Sequence, residues 1–124
     1  LMAVHYNSKI ITDGLVLCLD AGNTKSYPGS GTAWTDLSGN SNTGTLTNGP
    51  TYSSANGGGI VFDGVDDYTS LASNNVNGLT AGTSNFSILA WVKYNSTASY
   101  SAFFEKQNSN SSSAGTIRLD LGYT

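Results

Sequence analysis

Two strand-like segments, the first of which contains an acidic corner, constrain the fold of this chain most strongly. Residues 59–68 run from a short apolar stretch through an Asp-Gly pair into an acidic corner, and residues 86–94 carry apolar side chains on both alternating faces. Successive side chains of a strand point to opposite sides, so a segment that is apolar on both sides belongs in the middle of a covered sheet. The pattern predicts an all-β protein.

Other parts of the chain follow the same pattern, and helical periodicity is absent. Strands are predicted at 15–19, buried on both faces, at 102–106 and at 116–121, while 60–62 and 68–71 form a hairpin or the two arms of a bend. Residues 20–59 and 107–115 are predicted as long polar connections. Glycine-rich turns between short strands favour an antiparallel sandwich. The expected buried residues are Leu15, Leu17, Leu19, Phe62, Ile88, Ala90, Trp91, Phe104, Ile117 and Leu119.

Length and charge exclude several classes of function. A chain of 124 residues makes at most one domain, and its single cysteine excludes an internal disulfide framework. The net charge is −3 and the five basic residues are scattered, so nucleic acid is not an expected partner. No apolar run approaches the ~20 residues that cross a bilayer, and the first residues do not form a signal peptide. The sequence therefore predicts synthesis in the cytoplasm without membrane insertion.

Three blocks of the sequence, taken together, resemble a known family. Residues 14–23, residues 34–46 with their Asp-Leu-Ser-Gly-Asn motif, and residues 59–68 with 86–93 resemble the LamG-like branch of the concanavalin-A-like proteins. The resemblance implies an antiparallel two-sheet jelly-roll sandwich over residues 13–124, preceded by an amino-terminal arm, 1–12. Because the family continues for several more strands, it also implies a sandwich incomplete at its carboxy terminus, with strands missing or an edge completed by another subunit.

The sequence of residues 7–31 has a more specific resemblance, to small LamG-like proteins of tailed, particularly marine, bacteriophages. Such proteins are regarded as virion surface components. The resemblance implies a capsid decoration or tail-associated protein, made in the host cytoplasm, whose partners are other virion proteins, copies of itself or surface polysaccharide. The alternative is an extracellular lectin module of a secreted or cell-surface protein that binds carbohydrate.

Two groups of polar residues could bind a cation. Asp63, Asp66 and Asp67 offer the carboxylate oxygens that calcium prefers, but an Asp-Gly turn with capping carboxylates is the favoured interpretation. Asp36, Ser38 and Asn40 form a second such group, for which a side-chain-stabilised loop is likewise favoured. No cofactor is expected unless calcium binds.

The aromatic residues and the acid–base groups bear on binding and catalysis. Tyr52, Tyr94, Tyr100 and Tyr123 could stack on sugar rings, although packing in a core or interface is favoured. Glycosidases of this fold use two close carboxylates, usually glutamates, and Glu105 is the single glutamate here. One Cys and one His offer no nucleophile with a nearby base. The sequence predicts a protein that is not an enzyme.

Overall fold

The computed structural model describes residues 10–71, 85–94, 101–106 and 117–121. In these residues the chain is all-β, and every strand pair is antiparallel. The strands are β1 (Ala33–Trp34), β2 (Gly44–Thr47), β3 (Thr51–Ser53), β4 (Gly59–Val61), β5 (Tyr68–Leu71), β6 (Ser101–Lys106) and β7 (Ile117–Leu121). The prediction of an all-β chain is confirmed. Most of the predicted amino-terminal arm lies outside the described residues.

A three-stranded sheet with the order β1-β2-β5 carries a buried apolar side chain. Leu46 of β2 is 4% exposed, and β2 pairs with β5 from Gly44 opposite Leu71 to Thr47 opposite Tyr68. A Cβ placed on Gly44 would lie 2.8 Å from Cγ2 of Thr69, so only glycine fits under this cross-strand neighbour. The sheet is therefore closely packed at its centre.

A hairpin of β3 and β4 forms the second sheet, and its end packs on another turn of the chain. The connection contains a short 3-10 turn, Ala55–Gly57, in which Asn56 has a φ of 54°. A Cβ on Gly58 would lie 2.7 Å from Cα of Gly22, and one on Gly22 would lie 2.3 Å from the carbonyl oxygen of Gly57. The hairpin end and the turn around Gly22 thus meet backbone to backbone, a contact that excludes side chains.

The acidic corner joins these two sheets. β4 pairs with β3, whereas β5, which follows the corner, pairs with β2. Of the two arrangements predicted for this region, the structure has the bend and not the hairpin. The prediction of a long polar connection over residues 20–59 is wrong, because β1, β2 and β3 lie within it.

The last two strands form a two-stranded sheet. β6 pairs with β7 from Ser101 opposite Leu121 to Lys106 opposite Ile117, with an irregularity between Ala102 and Phe104. The strands predicted at 102–106 and 116–121 are therefore confirmed within one residue at each end. The connection predicted at 107–115 lies outside the described residues.

The apolar segment 15–19 is half-buried but joins no sheet in the described part of the chain. The prediction of a strand buried on both faces is wrong here. Its backbone groups bond instead to side chains and to the backbone of the loop that follows β1. Side chains of a polar loop therefore take the place of a neighbouring strand.

The predicted core agrees with the structure only in part. Leu15, Leu17, Leu19, Ile88, Phe104 and Leu119 are half-buried, and the side chain of Ile117 lies outside the described set. Trp91 is 95% exposed, and Phe62 and Ala90 are exposed as well. The predictions for Ala90 and Trp91 are wrong because a segment apolar on both faces needs a covering layer on each, and residues 85–93 join no sheet in the described ranges. The prediction for Phe62 is wrong because β4 ends at Val61 and Phe62 already belongs to the exposed corner. Ala21, Tyr27 and Leu46 are the buried apolar residues instead.

Candidate functional site

The acidic corner between β4 and β5 is a turn closed by its own carboxylates. Oδ1 of Asp63 accepts hydrogen bonds from the backbone N–H groups of Val65 (2.8 Å) and Asp66 (3.4 Å). Oδ2 of Asp67 accepts one from the backbone N–H of Asp63 at 2.9 Å. Gly64 supports the turn with a φ of 77°, a conformation that glycine adopts without strain. This geometry is that of the capped Asp-Gly turn that the sequence favours.

The same turn brings three carboxylates together. One oxygen from each of Asp63, Asp66 and Asp67 lies within 4.8 Å of the others. Oδ1 of Asp67 is buried and has no hydrogen-bond partner, while the other two side chains are exposed. The hydrogen bond from Val65 is the largest of the influences that hold the pKa of Asp63 below its usual value. The charged form of this carboxyl is therefore favoured, as a cation site requires.

The loop between β2 and β3 contacts this corner. The side-chain amide of Asn48 donates to the backbone carbonyl of Asp66 at 2.8 Å. A Cβ placed on Gly49 would lie 4.0 Å from Oδ1 of Asp67. Calcium takes six to eight oxygen ligands, of which water commonly supplies several, so three carboxylates provide part of a coordination shell. The turn and the cation site are compatible, and the calcium site remains a prediction.

Asp36 organises the loop after β1 through four hydrogen bonds. Its Oδ1 accepts from the backbone N–H groups of Cys18 and Ser38, each at 2.9 Å. Its Oδ2 accepts from Oγ of Ser38 at 2.7 Å and from the backbone N–H of Asn42 at 3.0 Å. Burial raises the pKa of Asp36, but hydrogen bonds from Ser38, Cys18 and Asn42 outweigh it and leave the pKa below its usual value. The carboxylate is thus held in its charged form inside the protein.

The rest of this loop bonds to the segment 15–18. Oγ of Ser38 and Nδ2 of Asn42 both donate to the carbonyl of Val16, at 3.0 and 2.9 Å, and Nδ2 of Asn40 donates to the carbonyl of Leu15 at 2.8 Å. A carboxylate has about four acceptor positions, and protein donors occupy that number at Asp36. The arrangement favours the stabilised loop over a metal site.

Sequence reasoning missed Asn42 in this loop. It is 4% exposed and bonds to both sides, through its backbone N–H to Asp36 and through its side chain to Val16. The sequence feature that could have identified Asn42 is the Asn-x-Asn spacing after Ser38, which places two amides along one short loop. Asn40 and Asn42 reach adjacent carbonyls of the apolar segment because of that spacing.

The candidate sugar-binding tyrosines lie in different parts of the chain. Tyr52 is on β3 and is 37% exposed, with its ring centroid 5.6 Å from that of Tyr27. Tyr27 is buried, and its hydroxyl donates to the carbonyl of Gly31 at 2.8 Å. Tyr94 is exposed at the end of the segment 85–94, whereas Tyr100 and Tyr123 lie outside the described residues. Tyr52 therefore contacts a buried ring and leaves part of its own ring accessible.

Comparison of the chain with protein-family models, curated proteins and solved structures finds no match. The LamG-like resemblance consequently stays a prediction that rests on the three sequence blocks. Among the described residues there is no helix with the length and apolar character needed to span a membrane.

Proposed function

We propose that this protein is a non-enzymatic component of a virion surface, displayed in many copies as a capsid decoration or tail-associated protein. The proposal rests on the resemblance of residues 7–31 to phage LamG-like proteins and on one structural observation. That observation is the exposure of the apolar segment 85–93, in which Leu89 and Trp91 are almost wholly accessible. Other virion proteins and copies of this chain are the proposed partners.

Exposure of this kind supports a role in assembly. Contiguous exposed apolar surface on a soluble protein commonly marks a surface for another protein. Tryptophan is enriched among the residues that dominate binding energy, because its large ring loses much water-accessible area on contact. A surface protein that many identical contacts hold on a particle requires an exposed apolar contact surface, whereas it does not require a catalytic centre.

We also propose that the strands belong to an antiparallel jelly-roll sandwich of the concanavalin-A type. The bend at the acidic corner supports this, because it carries the chain from the sheet containing β4 into the sheet containing β5. Chain crossing between two sheets is how a sandwich covers both sides of its core. A crystal structure with β4 and β5 continuing in one sheet would contradict it.

Mass spectrometry of purified particles, from a phage lysate carrying this gene, tests the proposed function. The protein should be present in many copies per particle. A Trp91→Ser variant should be incorporated at least about thirtyfold less, since a central interface tryptophan contributes roughly 2 kcal/mol or more. Val65→Ser, at another exposed apolar residue outside the segment, is the matched control and should be incorporated normally. Absence of the protein from particles would contradict the proposal.

A second candidate is an extracellular lectin module, which the acidic corner and Tyr52 favour. A calcium ion held by Asp63, Asp66 and Asp67 could bind sugar hydroxyls, and an exposed tyrosine could stack on a sugar ring. Glycan-array binding that disappears on chelation would support this function. Asp66→Asn should abolish it, and Asp13→Asn, another exposed aspartate, should leave it unchanged. Retention on the array despite chelation would contradict the calcium site.

A further inference from the structure

The described residues include two Asn-Gly pairs whose asparagines share a positive φ but differ in the contacts of their side chains. Asn48 precedes Gly49 and has a φ of 71°, and Asn56 precedes Gly57 and has a φ of 54°. Both asparagines are exposed. A glycine after asparagine leaves the following backbone nitrogen unshielded, since it has no Cβ. On sequence alone the two pairs are therefore equally open to attack on the asparagine side chain.

The structure separates them by one hydrogen bond. The side-chain amide of Asn48 donates to the carbonyl of Asp66 at 2.8 Å, so its position is fixed between two loops. The side chain of Asn56 has no hydrogen bond or ring contact in the described structure. Gly57 has a φ of 93°, and nothing lies within 4 Å of where its Cβ would be. Asn56 thus has a free side chain, and open space lies on the Cβ side of the glycine that follows it.

We propose that Asn56 is a site of spontaneous deamidation through a succinimide. The backbone nitrogen of Gly57 attacks Cγ of Asn56, the N–Cγ bond forms, and the Cγ–Nδ2 bond breaks. Nδ2 leaves as ammonia with the proton that the backbone nitrogen has lost. Water then adds to either carbonyl carbon of the ring and opens it, giving aspartate or isoaspartate. The step requires water alone and transfers no electrons.

The position of Asn56 gives this reaction a structural consequence. Isoaspartate inserts one methylene into the backbone between residue 56 and Gly57. That backbone leads directly into the close contact of Gly57 and Gly58 with Gly22, where the tolerance for displaced atoms is small. The modified hairpin end should therefore separate from the turn around Gly22, and the chain should become easier to cleave there by proteases.

Peptide mapping of the full chain, incubated at mildly alkaline pH, tests the proposal. Deamidation replaces an amide NH2 by OH, and the resulting mass gain identifies the product. The deamidated product should accumulate at Asn56 about fivefold faster than at Asn48, because reaction at Asn48 requires loss of a hydrogen bond. The peptide containing Asn77-Gly78 is quantified separately. Asn56→Gln should remove the fast product, and Asn48→Gln should not.

Incubation in concentrated urea supplies the decisive control. The hydrogen bond of Asn48 is absent in the unfolded chain, so the two rates should become similar there. A rate difference that persists in urea would arise from the neighbouring residues in the sequence and not from the hydrogen bond of Asn48. That result would overturn the proposal. Equal rates in the folded chain, or faster reaction at Asn48, would overturn it as well.

Discussion

Residues 15–19 and 86–92 are similar as sequences, since each is a short apolar run that predicts a strand, yet their surroundings differ. The first is half-buried and bonded through its backbone to Asp36, Ser38, Asn40 and Asn42. The second joins no sheet in the described chain and leaves Trp91 95% exposed. The difference teaches that an apolar run becomes structured through what binds its backbone, and not through its own hydrophobicity.

The polar loop around Asp36 supplies those bonds in the first region. A buried carboxylate is tolerated because four donors surround it, and the same loop presents two amides to the carbonyls of Leu15 and Val16. In the second region, we propose that the corresponding contacts come from another protein. The following predictions compare the two regions, from the largest expected effect to the smallest.

The largest effect should come from removing the carboxylate of Asp36. Asp36→Ala leaves the donors on Cys18, Ser38 and Asn42 without their acceptor, and we expect a loss of about 4 kcal/mol in the free energy of unfolding. Urea denaturation followed by tryptophan fluorescence measures it. Asp66→Asn, whose side chain is exposed, is the control and should change the free energy by less than about 0.5 kcal/mol. A loss at Asp36 no larger than the control would show that the loop does not hold the segment.

Substitutions at a buried residue of β2 and at an exposed residue of the second region then test burial itself. Leu46→Ala, at a residue 4% exposed, should lower the free energy of unfolding by about 3 kcal/mol through lost packing and the cavity left behind. Trp91→Ala removes a larger side chain but should change the free energy of the isolated chain by less than about 0.5 kcal/mol. A large loss at Trp91 in the isolated chain would mean that the segment is already covered, and would end the comparison.

The sequence predicted those elements whose signal is local. The alternating pattern predicted β6 and β7, and the Asp-Gly pair predicted the turn before β5. Both predictions succeeded because strand periodicity and turn chemistry act over a few residues. It did not predict β1, β2 and β3, which lie in a stretch rich in Gly, Ser and Thr where cross-strand pairing decides the structure. Burial of Tyr27 and Leu46 likewise depends on long-range contacts.

The candidate sites divide in the same way. The capped turn at Asp63 follows from a two-residue motif and was foreseen. The role of Asn42 was not, because it depends on a carbonyl 26 residues away in the chain. The exposure of Trp91 contradicts a pattern that is typical of a central strand, and patterns of this kind do not distinguish a core from an interface.

A glycine substitution tests how closely the turn that follows the first region is packed against the hairpin end. Gly22→Ala would place a Cβ 2.3 Å from the carbonyl oxygen of Gly57, so backbone must move, and we expect a loss of about 2 kcal/mol in the free energy of unfolding. Gly59→Ala is the matched control, because nothing lies within 4 Å of its Cβ position and its φ is not positive. A Gly22→Ala chain as stable as the control would contradict the contact between the hairpin end and this turn.

The smallest effect concerns the protonation of Asp36. Its folded-state pKa lies below the ordinary value of 3.8, so its charged form stabilises the fold above that pH, and this contribution is lost as the pH falls through the folded-state pKa. Stability should therefore be insensitive to Asp36 from neutral pH down to about pH 5 and decline in stronger acid. Protonation leaves the shape of the side chain intact, so the loss should be smaller than that of Asp36→Ala.

Carboxyl carbon NMR titration measures the pKa of Asp36 directly, and Ser38→Ala should raise it, because the hydroxyl that donates to Oδ2 is removed. An Asp36 pKa at or above its ordinary value in the unmodified chain would show that burial outweighs the hydrogen bonds.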